Sequence, residues 1–214
     1  MKVFFVGGAS LARLCYNIIK KNGHEVPYIY DSTKSLAAPW DCFIFDDESA
    51  IPQYARACEG FLVCIGDSHG EIRARYSRQL AQLGLKPISA IHPTAFIGEQ
   101  TRLGVGLQAM PGSIIDDFVV VGDFCILNVN CSVGHECVLG TGVHVMTSAV
   151  LTGLVRVGDY STIGSNATVL PRLKIGSRCY IGAGAVVTAD VPDNAVVAGV
   201  PAKVIRYRSE DGAD

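Results

Sequence analysis

The sequence predicts a chain of two parts, an α/β part over residues 1–86 and an all-β parallel β-helix over residues 87–214. The first observation is a series of short apolar runs that alternate with segments of helical spacing in the first part. The second is an aliphatic residue at every sixth position from Ile97 to Val187, interrupted only by the small Ala109. Helices repeat at 3.6 residues and strands alternate at two, so a period of six fits neither element alone. It is typical of a β-helix, in which each hexad forms one short strand and one bend.

In the first part, apolar runs predict four buried strands, at about residues 2–6, 25–30, 42–45 and 61–65. Segments of helical spacing follow the first and the last of these strands, and Gly23 and Gly84 are expected to end the two helices. Strands that alternate with helices form an open parallel sheet, here of the Rossmann-like kind.

The edge at which these strands end is the expected ligand site, because ligands of such sheets bind beyond the carboxyl ends of the strands. This edge would carry Ser10, Asp31 and Gly66. The turn before Ser10 lacks the pattern G-x-G-x-x-G, which argues against an NAD-dependent enzyme. Its backbone amides at a helix start could hold a phosphate or diphosphate, although a purely structural turn would have the same sequence.

In the second part, three hexads should make one triangular coil, so that residues eighteen positions apart stack. Glycine often follows the aliphatic residue of the hexad, and we expect it to supply the positive φ that a tight corner needs. The fifth hexad position is small and should face inward. It holds four of the cysteines, which would act there as small hydrophobic residues: Cys125, Cys131, Cys137 and Cys179.

Composition excludes several classes of protein. The 214 residues are 49% hydrophobic and 18% charged, which is typical of a folded chain, and a net charge of −2 argues against nucleic acid as a partner. No apolar run approaches the about 20 residues that span a bilayer, so no membrane partner is expected. The eight cysteines include no C-x-x-C pair, which argues against a zinc site and favours a reducing, cytoplasmic location.

The candidate catalytic residue is His135, because Glu136 follows it directly on the predicted coil. A carboxylate beside an imidazole can fix its tautomer and raise its basicity. A base poised near neutral pH is what the acylation of an amine or hydroxyl needs. His144 lies nine residues further on, and two solvated histidines on an outer face would have the same spacing.

Six short segments spread over nearly the whole chain carry a family resemblance: Val6-Gly7-Gly8-Ala9-Ser10, Ile65-Gly66-Asp67, Ile91-His92-Pro93, Leu127-Asn128, Val133-Gly134-His135-Glu136 and Gly199-Val200-Pro201-Ala202-Lys203. With these segments the chain resembles the left-handed β-helix acyltransferases that use acetyl-CoA, above all the sialic-acid O-acetyltransferase and nucleotide-amino-sugar N-acetyltransferase group. The resemblance implies a left-handed coil and a homotrimer that binds acetyl-CoA between adjacent subunits.

The resemblance also implies roles for single residues, with His135 as general base and Glu136 as the carboxylate that orients it. The residues expected near acetyl-CoA are His144 beside the acetyl group, Gly153, Ser165 and Ala183 along the pantetheine channel, and Lys203 near the phosphates. The residues expected to hold the nucleotide sugar are Ser10, Asp31, Ser32 and Gly66, with Asn128 facing the acceptor sugar.

One departure from the family concerns the residues after Ser10. Relatives usually continue with Gly-His-Gly, and that histidine helps to bind the phosphates, whereas this chain has Leu11-Ala12-Arg13. Ala12 offers no side-chain hydrogen bond. Arg13 either binds a phosphate in its place or faces solvent.

The resulting prediction is an acetyl-CoA-dependent N-acetyltransferase that acts on the amine, at C4, of a nucleotide-linked amino-dideoxy sugar. The amine would attack the thioester directly, His135 would accept its proton, and His144 or a backbone N–H would support the oxyanion. The alternative is O-acetylation of sialic acid or a related sugar by the same base. A non-catalytic structural or carbohydrate-binding prism is a further alternative. A zinc-dependent, carbonic-anhydrase-like prism is a fourth, but the spacing of His92, His135 and His144 does not argue for a zinc site.

Overall fold

The N-terminal part is a five-stranded parallel sheet with helices. The computed structural model describes residues 1–33 and 41–209. Its elements there are β1 (Val3–Val6), α1 (Ser10–Lys21), β2 (Tyr28–Tyr30), β3 (Phe43–Phe45), a 3₁₀ turn (Glu48–Ala50), α2 (Ile51–Ala55), β4 (Gly60–Val63), α3 (Gly70–Gln82) and β5 (Lys86–Pro87). The strand order is β3-β2-β1-β4-β5 and every pairing is parallel. The predicted open parallel sheet is therefore confirmed, with α2 and β5 added.

All four predicted strands are shorter than predicted. Strand β2 begins at Tyr28 because the preceding segment makes only a single bridge, from Glu25 to Lys2. Strand β4 ends at Val63, and two residues later the carbonyl oxygen of Ile65 accepts a hydrogen bond from Arg73. Strand β5 spans the position at which the two parts were predicted to meet.

The second part consists of two-residue strands at intervals of six residues. These are β6 (Ala90–Ile91), β7 (Phe96–Ile97), β8 (Arg102–Leu103), β9 (Gln108–Ala109), β10 (Ile114–Ile115), β11 (Val120–Val121), β12 (Ile126–Leu127), β13 (Ser132–Val133), β14 (Val138–Leu139), β15 (His144–Val145), β16 (Val150–Leu151), β17 (Arg156–Val157), β18 (Thr162–Ile163), β19 (Thr168–Val169), β20 (Lys174–Ile175), β21 (Tyr180–Ile181) and β22 (Val186–Val187). The longer strands β23 (Ala195–Gly199) and β24 (Ala202–Tyr207) follow as an antiparallel pair.

The two-residue strands stack into three parallel sheets that form the faces of a prism. Val133, for example, pairs with Ile115 on one side and Leu151 on the other, so the predicted offset of eighteen residues is confirmed. We call the sheet that begins with β6, β9 and β12 the docking face, because it packs against the α/β part. The sheet of β7, β10, β13, β16, β19 and β22 is the apolar face, and that of β8, β11, β14, β17 and β20 is the charged face.

The glycines of the hexad have a different role from the one predicted. Positive φ occurs three positions after the aliphatic residue, at varied residues such as Phe118, Glu136 and Tyr160 as well as at Gly106. The glycine directly after the aliphatic residue instead lies against the next coil. A Cβ at Gly122 would be 2.6 Å from the carbonyl carbon of Gly140, so a side chain there would collide with backbone.

The four cysteines of the coil face inward, as predicted, and each is fully buried. Three of the thiols, those of Cys125, Cys137 and Cys179, also donate hydrogen bonds to backbone carbonyls, and that of Cys125 reaches Gly140 at 3.1 Å. All eight cysteines of the chain are free. Over residues 1–33 and 41–209, no helix has both the length and the apolar composition that crossing a bilayer requires.

The α/β part covers the docking face so closely that its outward side chains are buried. Gln108 is 0% exposed and donates from Nε2 to the carbonyl oxygen of Val63 at 2.8 Å. Helix α3 meets the coil at its first residue, where a Cβ on Gly70 would collide with the carbonyl oxygen of Gly142. Arg73, one turn further along α3, is also 0% exposed and reaches into the same junction.

Candidate active site

His135 and Glu136 lie on the corner that joins the apolar and charged faces, directly after β13. The Nδ1 atom of His135 is 3.2 Å from Oε1 of Glu136, and both side chains are about half exposed, at 54% and 53%. Glu136 occupies the left-handed position of the corner, with φ of 60°. If Nδ1–H donates to this carboxylate, Nε2 carries the lone pair and can accept a proton.

Gly153 lies one coil beyond His135, under its imidazole ring. A Cβ at residue 153 would meet Nε2 of His135, and it would lie 2.6 Å from Cε1 and 2.9 Å from Cδ2. Only glycine leaves room for the ring in this position. The sequence prediction placed Gly153 near acetyl-CoA, and the structure shows in addition that it seats the candidate base.

His144 lies in a different environment, buried between the docking face and the α/β part. It is 3% exposed, and its Nδ1–H donates to the carbonyl oxygen of Asp67 at 3.0 Å. Burial and the nearby Arg73 guanidinium lower its pKa from 6.5 to about 4. His144 is therefore neutral at pH 7 and carries no proton on Nε2. In this state it cannot donate a hydrogen bond to an oxyanion, contrary to that part of the prediction.

The Nε2 atom of His144 faces Asn128, whose Nδ2 is 3.5 Å away. Asn128 lies on the corner that joins the docking and apolar faces, directly after β12. Ser165 and Ala183 follow β18 and β21 and occupy the same corner. Within one chain these residues are thus separated from His135 by the width of the apolar face. Lys203 is exposed on β24, beyond the last coil.

A cleft of about 540 Å³ opens at the carboxyl edge of the parallel sheet, where a ligand site was predicted. Asp31, Ser32 and Gly66 are among its lining residues, whereas Ser10 is not. Ser10 is exposed at the first residue of α1. A depression of about 590 Å³ on the charged face, between Arg156 and Lys174, contains none of the predicted site residues.

Asp31 is already bonded to the turn that was expected to bind phosphate. Its carboxylate accepts the N–H of Gly8 at 2.6 Å and the N–H of Thr33 at 2.7 Å. One of the predicted phosphate donors, the Gly8 amide, is therefore occupied by protein. Asp31 therefore holds this turn in shape and also lines the cleft.

Neither residue that replaces the family's histidine motif enters the cleft. Ala12 is 0% exposed in the core between α1 and the sheet, and Arg13 is exposed on α1 and does not line the cleft. The cationic group at the cleft comes from α3 and is Arg75; His69, the residue before α3, also lines the cleft. The Arg75 guanidinium lies over the Tyr76 ring, 5.0 Å from its centroid.

Comparison with known proteins places these features in a family. The family model "Bacterial transferase hexapeptide (six repeats)" matches residues 155–189. Perosamine N-acetyltransferase from Caulobacter crescentus, crystallised with CoA and GDP-perosamine, is 30% identical, with 95% of this chain and 96% of that chain covered and a TM-score of 0.88. The chain belongs to the left-handed β-helix sugar acetyltransferases.

Other solved structures agree with this assignment. The acetyltransferase domain of PglB from Neisseria gonorrhoeae, in complex with acetyl coenzyme A, is 25% identical, covers 95% of this chain and 98% of its own and has a TM-score of 0.83. WeeI from Acinetobacter baumannii shares the fold at 20% identity, with 96% and 100% coverage and a TM-score of 0.70. A comparison with curated protein sequences gives no match. The predicted fold class, including its left-handed coil, and the predicted enzyme class are confirmed.

Sequence reasoning missed two arginines of this acetyltransferase, Arg73 and Arg75. Both lie on α3, directly after the Ile65-Gly66-Asp67 motif, and that proximity was the available signal. No group of three His, Cys, Asp or Glu in the described part of the acetyltransferase could hold a metal ion. His92 instead bonds Thr94, with Nδ1 and Oγ1 2.8 Å apart.

Proposed function

We propose that this protein transfers the acetyl group of acetyl-CoA to the amine, at C4, of a nucleotide-linked amino-dideoxy sugar. The observation that carries this proposal is the His135–Glu136 pair, held on an exposed corner with the imidazole seated on Gly153. A relative that is 30% identical over almost its full length is named for N-acetylation of perosamine and was crystallised with GDP-perosamine and CoA. A cytoplasmic location, where both substrates would be available, suits the eight free cysteines.

In the proposed reaction the neutral amine attacks the carbonyl carbon of the thioester. The new C–N bond forms, the C–S bond breaks, and the sulfur leaves as the thiolate of CoA. Nε2 of His135 accepts the proton that the amine loses and can return it to the thiolate. Glu136 stabilises the imidazolium through Nδ1. A backbone N–H supports the oxyanion in this scheme, since neutral His144 has no proton to offer on Nε2.

The nucleotide would occupy the cleft at the strand ends. Asp31 and Ser32 would contact the base or ribose, and the backbone at Gly66 would lie near the sugar. Arg75 would supply the positive charge that a diphosphate needs, with His69 beside it in the cleft, a role that Ala12 cannot fill. Asn128 would face the acceptor sugar.

The site would be completed by a homotrimer. Three chains arranged with their apolar faces around one axis would place the His135 corner of each chain beside the Asn128, Ser165 and Ala183 corner of the next. The apolar face favours such contacts, because Phe96 and Ile114 are 55% and 43% exposed on it. Acetyl-CoA would then lie between two chains, with Lys203 near its phosphates.

The test is an assay with acetyl-CoA and a panel of acceptors, following the release of free thiol. The panel contains GDP-, UDP- and dTDP-linked 4-amino-dideoxy sugars, the corresponding 4-hydroxy sugars, and free sialic acid. We expect acetylation of at least one nucleotide-linked amine, and a product resistant to hydroxylamine because it is an amide. Turnover of sialic acid alone, with a hydroxylamine-labile ester as product, would replace this proposal by O-acetylation. His135→Ala is the control for enzyme-dependent turnover.

A further inference from the structure

Arg73 is a buried cation that donates three hydrogen bonds, each to a backbone carbonyl. Its Nε donates to the carbonyl oxygen of Phe124, Nη1 to that of Ile65 and Nη2 to that of Gly142, each at 2.7 Å. Burial lowers its pKa from 12.5 to about 10, so it remains charged at neutral pH. A buried charge is costly to desolvate, and a simple packing contact between the two parts would not require one.

The three carbonyls belong to two sides of the molecule. Ile65 lies in the loop after β4 that forms part of the nucleotide cleft, whereas Phe124 and Gly142 lie on the coil. The same loop continues through Gly66 to Asp67, whose carbonyl oxygen accepts the Nδ1–H of His144. The Arg73 guanidinium therefore fixes the loop at Ile65, and the loop orients the imidazole of His144 through Asp67.

We propose that Arg73 is a positioning residue of the acetyl-transfer site, which locks the Ile65–Asp67 loop onto the coil and thereby holds His144 in a single tautomer with Nε2 unprotonated. Nε2 of His144 is then a hydrogen-bond acceptor that faces Asn128 and, on the proposed function, the acceptor sugar. The loop that Arg73 holds is also part of the cleft for the nucleotide. One side chain thus couples the geometry of the nucleotide cleft to that of the sugar end of the site.

The electrostatics around His144 agree with this role. Two charged residues act on the ring: Arg73 from α3 lowers the pKa of His144, and Asp67 from the loop raises it. Arg73 itself faces the thiols of Cys64 and Cys125, whose pKa values are raised by burial and which therefore carry no charge to compensate it. The uncompensated guanidinium consequently favours the neutral form of His144.

The experiment compares Arg73→Met, which removes the charge, with Arg73→Lys, which keeps the charge but loses the guanidinium geometry that makes the three hydrogen bonds. Gln108→Met is the matched control, because Gln108 is equally buried and also ties the coil to a strand-end carbonyl without carrying a charge. Each variant is measured by thermal unfolding, by NMR titration of 13C-labelled histidines, and by KM for both substrates. The NMR titration requires no substrate, so its outcome is independent of the proposed function.

In Arg73→Met we expect the pKa of His144 to rise, and KM for the nucleotide sugar to rise about tenfold or more, with little change in KM for acetyl-CoA. Arg73→Lys should keep the low pKa of His144 and still raise KM for the nucleotide sugar. Gln108→Met should lower the melting temperature without moving the His144 titration. If Arg73→Met does not fold, Arg73→Lys alone decides: a KM equal to that of the wild type would overturn the proposal. An unchanged His144 titration in a folded Arg73→Met variant would also overturn the proposal. Arg73 would then only connect the two parts of the structure.

Discussion

The imidazole of His135 occupies the space that a side chain at Gly153 would need, although the two residues are eighteen positions apart. Gly153→Ala should therefore push the ring away from its seat and lower kcat by roughly 10²-fold, the lower end of what a positioned base contributes. The melting temperature should change little, because the ring is half exposed and can rotate outward. Steady-state kinetics and thermal unfolding of the single variant test this.

A double variant gives the control for Gly153→Ala. If the methyl group acts only through the imidazole, Gly153→Ala should add nothing to the loss already caused by His135→Ala. A further loss of activity in the double variant would mean that Gly153 contributes something else, such as a backbone contact to acetyl-CoA.

The second prediction separates the roles of His135 and Glu136. His135→Ala should lose roughly 10²–10⁴-fold in kcat, because the proposed base is removed, and leave the affinity for CoA nearly unchanged. Glu136→Ala should lose less, since the imidazole remains and only its partner at 3.2 Å is removed. Calorimetric titration with CoA and acetyl-transfer kinetics provide the measurements. A larger loss in Glu136→Ala than in His135→Ala would show that these roles are wrong.

The parts of this fold and site that depend on neighbouring residues could be predicted from the sequence. The hexad period determines the coil, and the adjacent pair His135–Glu136 is visible because the two side chains are consecutive. The left-handed corner position could not be found, since it holds residues as different as Phe118, Glu136 and Tyr160. The glycine after the aliphatic residue was predicted to have the positive φ. A recurring glycine can mean either a positive φ or close contact with the next coil, and the sequence pattern does not distinguish the two.

The role of Arg73 could not be predicted for a different reason. Its partners Phe124 and Gly142 are 51 and 69 residues away along the chain, so they are known only once α3 is docked on the coil. The same applies to the burial of His144, which depends on the loop at Asp67, 77 residues away. Spacing along the sequence suggested a solvated or catalytic pair of histidines and contained no information on this contact.

The third prediction concerns stability at acid pH. The folded protein binds a proton at His144 only near pH 4, whereas the unfolded chain binds it near pH 6.5. Between these values the unfolded state holds more protons, so His144 reduces stability as pH falls from about 6.5 toward 4. This difference in the pKa of His144 corresponds to a loss of roughly 3 kcal/mol in the free energy of unfolding.

Denaturant unfolding at several pH values tests this acid effect. His144→Gln should flatten the dependence on pH over that window, because an amide does not titrate and its Nε2–H can replace the bond to Asp67. His135→Gln is the matched control on an exposed histidine and should keep the acid loss of the wild type. Equal curves for His144→Gln and the wild type would exclude His144 as the source.

The fourth prediction concerns Ala12, where the family usually has histidine. Ala12 is 0% exposed in the core between α1 and the sheet, so Ala12→His should overpack it and lower the free energy of unfolding by about 1–3 kcal/mol. Arg13→His, on the exposed face of the same helix, should be close to neutral. Urea unfolding of the two variants makes the comparison. An Ala12→His variant as stable as the wild type would show that α1 can shift to admit the ring.

The fifth prediction tests the association of chains through the apolar face. The chain mass is 22.7 kDa, so light scattering of the wild type should give about three times this value. Ile114→Glu places a charge on an exposed apolar position and should reduce the measured mass. Val120→Glu, one hexad later on the charged face, should leave it unchanged. A wild-type mass equal to one chain would exclude the trimer.

The repeating coil also limits how the length of this chain can change. The position of a residue within its eighteen-residue coil decides on which face or corner of the prism it lies. Deleting one hexad between Gly153 and Ser165 would therefore rotate every later residue by a third of a turn about the prism axis. Ser165 and Ala183 would then project from a different corner, even though each coil could still pack. Removing eighteen residues, which is one whole coil, would leave Ser165 and Ala183 on the same corner and shift them by only about 4.8 Å along the axis. Changes in length that preserve the site are therefore expected to be either whole coils, gained or lost, or loops that project outward from a corner.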